Sequence, residues 1–144
     1  MSNIIPVVID LVTKVKDGSR EETTKNRVKG TLVSKGGTTY IRYSEEIEDT
    51  GSVRNVMKIT ENEVTIIRNG SVGMHQRFRE GHVTEGHYET PFGTMYMTTD
   101  TKHMNYEWER RKGFGTFELI YGLTLQGHDL GRVTMAFAIR EAGS

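Results

Sequence analysis

The sequence predicts an all-β chain closed into an antiparallel up-and-down barrel of about 8–10 strands, with little helix. Three observations predict it. The first is residue balance: in 144 residues Thr occurs 18 times and Val plus Ile 22 times, against 6 Leu and 3 Ala. Branched side chains are stiff at χ1 and suit a pleated surface, while the helix-favouring pair Ala and Leu is scarce. The second is alternation. Phe117, Leu119, Tyr121, Leu123 and Leu125 share one parity, and Thr116, Glu118, Ile120, Gly122 and Thr124 share the other. Such period-two patterning gives one buried face and one wet face. The third is the regular recurrence of Gly-containing turn signals, which supply the positive φ of tight hairpins.

The elements follow in chain order. The opening apolar residues lead into a strand over Val7–Lys16. The polar link Asp17–Asn26 reads as a mobile loop. Strands over Arg27–Ser34 and Thr38–Glu46 meet at Lys35-Gly36-Gly37. The acidic stretch Glu45, Glu46, Glu48 and Asp49 with Thr50-Gly51-Ser52 reads as a second mobile loop. Val53–Thr60 and Glu63–Arg68 come next, and Asn69-Gly70 turns the chain into Val72–Arg79. In that run Met74, Gln76 and Phe78 alternate with His75, Arg77 and Arg79. Glu80-Gly81 leads to Val83–Thr90, and Pro91-Phe92-Gly93 to Thr94–Thr99. His103–Arg110 carries Met104, Tyr106 and Trp108 on one parity and ends at Lys112-Gly113. Gly115–Leu125 and Gly131–Arg140, joined at Gln126-Gly127-His128-Asp129, complete eleven runs. The connections are too short for parallel crossovers, so successive strands pair as a meander. Closure removes edges that would invite aggregation. Residues 1–144 read as one barrel domain.

Composition excludes several classes of function. Without cysteine the chain has no disulfide, thiol catalysis or Cys-based metal site. Its 19 basic and 19 acidic side chains cancel, which argues against a nucleic-acid footprint. The start lacks a basic leader, and its apolar run stops at Asp10, too short for a signal peptide or a membrane helix. A cytoplasmic protein with no membrane or nucleic-acid partner is the expectation.

Tyr88-Glu89-Thr90-Pro91-Phe92-Gly93-Thr94, then Met95-Tyr96-Met97, carry a resemblance. Thr101-Lys102-His103-Met104, the Tyr106 strand and Phe117-Glu118-Leu119-Ile120-Tyr121 continue it. Upstream, Lys29-Gly30-Thr31-Leu32 and Thr39-Tyr40-Ile41-Arg42-Tyr43 fit the same layout. In these marks the chain resembles the YwiB-like proteins, small bacterial proteins of unknown function. The resemblance implies a calycin-like (lipocalin-like) antiparallel barrel and no established activity or functional residue. The Gly-x-Trp mark of true lipocalins is absent from the first strand, since the one Trp is Trp108.

Candidate site residues come from the inward parity. Met57, Met74, Met95, Met97, Met104 and Met135 fall there, and flexible thioethers line adaptable pockets as readily as they fill gaps. Asn55, Gln76, Tyr88, Tyr106 and Tyr121 are the polar members of the same face. The candidate ligand-binding set is therefore Met57, Met74, Gln76, Tyr88, Met97, Tyr106, Trp108, Tyr121 and Met135. Gln76, Tyr88 and Tyr121 would orient the ligand, a small and largely apolar molecule inside the barrel. Glu85, His87 and Glu89 share a face with His75 and Arg77 opposite, a set that could hold metal or move protons. Parity puts it outside, where a solvated ladder of charges explains it, so no metal or other cofactor is expected. No serine lies in a nucleophile motif, and Gly113-Phe114-Gly115 lacks the setting of a phosphate loop. Two other readings stand beside ligand binding. One is a lyase- or isomerase-like enzyme with a Tyr/Glu/Arg site at the barrel mouth, which requires a carboxylate or Arg turned inward. The other is a solid-cored interaction module, with a homodimer among its forms.

Overall fold

The computed structural model describes residues 4–47 and 51–143 and has no helix among them. Ten strands follow one another: β1 (Ile5–Asp17), β2 (Arg20–Lys35), β3 (Thr38–Ile47), β4 (Gly51–Ile59) and β5 (Val64–Gly70). Then come β6 (Gly73–Phe78), β7 (Val83–Thr90), β8 (Gly93–Glu109), β9 (Phe114–Leu125) and β10 (His128–Glu141). Each pairs antiparallel with its chain neighbours, and β1 pairs with β10 from Val7↔Glu141 to Lys16↔Arg132 to close the barrel. This is the meander that short connections require.

Inward parity fills the barrel. Ile9, Ile41, Met57, Phe78, Phe117, Leu119, Phe137 and Ile139 are fully buried. Phe117 packs tilted on Phe137 at 5.5 Å between ring centroids, and Phe78 meets Tyr121 edge-on at 4.9 Å. Both separations suit aromatic pairs, so the middle of the tube is a packed core rather than a pore.

The structure corrects three expectations. Thr94–Thr99 and His103–Arg110 are one strand, β8, with a register shift between Thr101 and His103. The polar stretch there has no Gly or Pro to turn the chain. An extra residue instead moves the inward parity from Met97, Thr99 and Thr101 to Met104, Tyr106 and Trp108. The link Asp17–Asn26 is not a loop. A turn of only Gly18 and Ser19, with Gly18 at φ +61°, lets β2 pair with β1 from Asp17↔Arg20 onward. Thr23 and Thr24 suit that ladder. In the acidic stretch, Glu45 and Glu46 belong to β3 and Gly51-Ser52 to β4. Residues 48–50 lie outside the described residues.

Two glycines allow close approach. A Cβ on Gly86 would collide with the His75 carbonyl oxygen where β7 crosses β6. At Gly115 it would meet the Trp108 ring, which lies over that gap. Gly122 is different, because its nearest neighbour is the Asp100 Cβ at 3.9 Å. Gly86→Ala is therefore expected to lower stability by about 1–3 kcal/mol, as overpacking does. Gly122→Ala should leave stability unchanged or raise it by up to about 1 kcal/mol through the unfolded chain. Urea unfolding midpoints of the two variants check the contrast.

Candidate functional site

One end of the barrel is an open mouth. The turns β2–β3, β4–β5 and β6–β7 stand around a cavity of about 700 Å³. Ile59, Val64, Met104, Tyr106 and Phe117 make its apolar floor; Ile59 and Val64 are the last inward positions of β4 and β5 before their turn, and the other three are inward positions of β8 and β9. Glu61, Asn62, Arg79, Glu80, His82 and Asn105 make its polar rim.

The rim is held by its own bonds. The Thr60 hydroxyl donates to the Glu63 carbonyl at 3.0 Å, and the Glu63 N–H donates to that hydroxyl at 3.2 Å. The Met104 N–H donates to Glu80 Oε1 at 3.0 Å, which ties the β6–β7 turn to β8 just past the bulge. The Gly81 N–H to Thr101 carbonyl bond, 2.9 Å, reinforces the tie. Arg79, on that rim, makes no ion pair among the described residues. Burial raises the Tyr106 phenol above its ordinary pKa, opposed by the Thr39 side chain. Its buried hydroxyl has no well-formed hydrogen bond.

Below the floor runs a buried polar pair. Gln76, 4% exposed, donates from Nε2 to the Thr99 hydroxyl at 3.0 Å. The Tyr121 hydroxyl points to the Met135 sulfur at 3.7 Å. Burial pushes the Tyr121 phenol up to about 12, with Gln76 opposing the rise. A proton is hard to remove there because phenolate would lie in low dielectric.

Towards the opposite end two charges turn inward. Glu45 Oε1 accepts from Asn55 Nδ2 at 3.0 Å, and Oε2 accepts from Asn26 Nδ2 at 3.1 Å. Arg68 Nη2 lies 3.7 Å from Glu45 Oε1, and its buried Nε has no partner. Tyr43 packs beside them, and burial followed by the Glu45 charge raises its pKa strongly.

The candidate ligand-binding residues are spread along the bore. Met57, Gln76, Met97 and Tyr121 are buried in its middle. Met74, Met135 and Trp108 pack against the same core from half-buried positions. Tyr88 pairs with Met74 on β6 and Met95 on β8, in the row that also carries Arg68. Of the nine, Tyr106 alone lines the mouth cavity. Parity had a signal for Glu45 and Arg68, which continue the inward series Ile41-Tyr43 and Val64-Ile66. The rim had none, since its residues come from separate turns. Outside, His75 and His87 stack at 5.8 Å with Glu89 3.7 Å from His87, on the wet face that parity indicates.

Residues 9–137 match the family described as Domain of unknown function (DUF1934). The chain belongs to that family. It is 31% identical over 113 residues to the uncharacterized beta-barrel protein YwiB of Bacillus subtilis strain 168, covering 78% of this chain and 79% of that one. The crystal structure of the ywiB protein from Bacillus subtilis superposes with a TM-score of 0.86 at 26% identity, over 97% of this chain and 94% of that chain. Family membership therefore agrees with the ten-strand closed barrel and brings no described activity with it.

The Tyr121 environment makes alkaline stability a test of the bore. Its folded pKa lies above the ordinary phenol value near 10, so its contribution is complete below that pH and is lost as pH rises towards 12. The wild type should lose stability on the order of 2–3 kcal/mol more than Tyr121→Phe across that window. Urea unfolding of both proteins from pH 9 to about 12 measures the difference.

Proposed function

We propose that the protein holds a small, largely apolar molecule at the open mouth of its barrel. The observation that carries this reading is the mouth cavity itself. Its volume, about 700 Å³, lies within the range typical of small-molecule sites. Its apolar floor and convergent polar rim have the usual composition of such sites. Met104 supplies an adaptable wall, and the Tyr106 ring a rigid one. Arg79 would orient any anionic group on the ligand. The packed middle of the bore sets the depth to which a ligand descends. The layer of Gln76, Met97, Tyr121 and Met135 supports the floor from below, as the supporting shell of a binding site does. A barrel of the calycin kind is suited to this use, because closure leaves its ends as the natural concavities.

A catalytic reading would draw on the inward Tyr43, Glu45 and Arg68. The arrangement favours structure over chemistry. Both Glu45 oxygens already accept from asparagines, and the raised pKa keeps Tyr43 protonated. Neither group is poised as a general base.

Anilinonaphthalene sulfonate, an apolar body with one anionic group, serves as the probe. Saturable one-to-one binding to the wild type is expected by fluorescence titration. Met104→Lys should weaken it by at least about tenfold, and Arg79→Glu by about three- to tenfold. Leu11→Met, a volume-conserving change at a buried core position that does not line the cavity, should leave it unaltered. Absence of saturable binding to the wild type, or wild-type binding by Met104→Lys, would overturn the proposal.

A further inference from the structure

The barrel is not closed along its whole height. β2 runs from Arg20 to Lys35, yet it pairs with β3 only from Gly30↔Tyr43 to Lys35↔Thr38. From Arg20 to Lys29 its one ladder among the described residues is with β1, and residues 20–27 are all exposed. β1 keeps its ladder with β10 as far as Lys16↔Arg132, so this stretch of β2 is the edge of a sheet that continues through β1 into β10, and among the described residues Asn26 reaches β3 only by its side-chain bond to Glu45. A free strand edge is a template for another strand.

Charge on this edge is ordered rather than mixed. After Arg20 at the turn, Glu21 and Glu22 come first, and Lys25, Arg27 and Lys29 follow. A uniformly charged edge repels a second copy. One with opposite signs at its two ends attracts a copy turned end for end. We propose that two copies of this chain join antiparallel through the Arg20–Lys29 edge of β2, about a two-fold axis at Thr24, so that the sheet continues from one barrel to the next.

The register follows from the ladder. Asp17 and Arg20 flank a two-residue turn as a hydrogen-bonded pair. Ladder bonds alternate, so Glu21, Thr23, Lys25, Arg27 and Lys29 turn their backbone groups away from β1. A two-fold at Thr24 sets Glu21 opposite Arg27 and Thr23 opposite Lys25 of the second copy, all of them outward-bonding positions. Within each protomer Lys16 is already opposite Glu21, and Asp10 opposite Arg27. Arg27 Nε meets Asp10 Oδ1 at 2.6 Å. Across the joint each row would read Lys16, Glu21, Arg27, Asp10, alternating in sign over four strands, and the symmetry makes the row twice. Centring the axis on Lys25 instead puts that lysine against its own copy, a like-charge pair that destabilises a sheet. Such a joint is isologous and closes at two copies.

Light scattering coupled to size-exclusion chromatography reads the outcome on the full chain. The wild type is expected at twice the protomer mass at tens of micromolar, shifting towards monomer as salt rises. Glu21→Arg and Arg27→Glu should each be monomeric, and their mixture should recover the double mass as a heterodimer, because each row then regains opposite signs. Thr23→Pro, which removes an outward N–H, should also be monomeric, with a far-ultraviolet circular dichroism spectrum like that of the wild type to show that the barrel is intact. A monomeric wild type would overturn the proposal. So would a dimer indifferent to Glu21→Arg and Thr23→Pro, or a mixture that fails to recombine.

Discussion

Everything in this molecule depends on the ladder between β1 and β10. The chain has no helix among the described residues and no disulfide to cover a sheet face or staple an edge. A ten-strand meander left open would expose one apolar face and two unpaired edges. Pairing Val7 through Lys16 with Glu141 through Arg132 turns that apolar face into an interior. Inside and outside exist only once the first strand meets the last. Every strand must then keep its apolar parity on the inner side, since a slip of one residue would turn the whole set out to water.

The interior shows how that constraint was met where the strands are long. β8 could not keep one parity over seventeen residues, and the irregularity between Thr101 and His103 resets it. Met97 and Tyr106 thereby both face inward although their numbers differ in parity. The same place receives the β6–β7 turn, through Glu80 on the Met104 N–H and Gly81 on the Thr101 carbonyl. The bulge thus shapes the mouth as well as the wall. Phe78, Phe117 and Phe137 fill the bore, so the open space is at the end of the tube, around the turns.

Polar groups inside are few and mostly paired. Gln76 has Thr99, Tyr121 has Met135, and Glu45 has Asn55 and Asn26. An unpaired polar atom in low dielectric is costly, which makes the Tyr106 hydroxyl, the Thr101 hydroxyl and Arg68 Nε stand out. Tyr106 and Arg68 lie towards opposite ends of the barrel, and Thr101 is buried opposite Tyr121. At the β1–β2 end β2 outruns β3, and the barrel carries a charged edge that no other strand covers among the described residues.

Local chemistry determined much of this in advance. Thr-, Val- and Ile-rich runs with two-residue alternation specify strands, and glycines such as Gly36-Gly37 and Gly127 specify where they reverse. Parity alone placed Met74, Met97 and Met135 inside and the His75–His87 pair outside, because side-chain direction in a strand is a property of position along the chain. Tertiary structure decided what depends on partners. Asp17–Asn26 is polar enough to read as a loop, yet opposite β1 it is strand, since ladder bonds are supplied by a neighbour and not by the residue itself. The bulge in β8 arose from two pairing registers that had to be reconciled. The mouth assembles Glu61, Arg79 and Met104 from elements far apart in sequence, and only closure of the sheet brings such positions around one space.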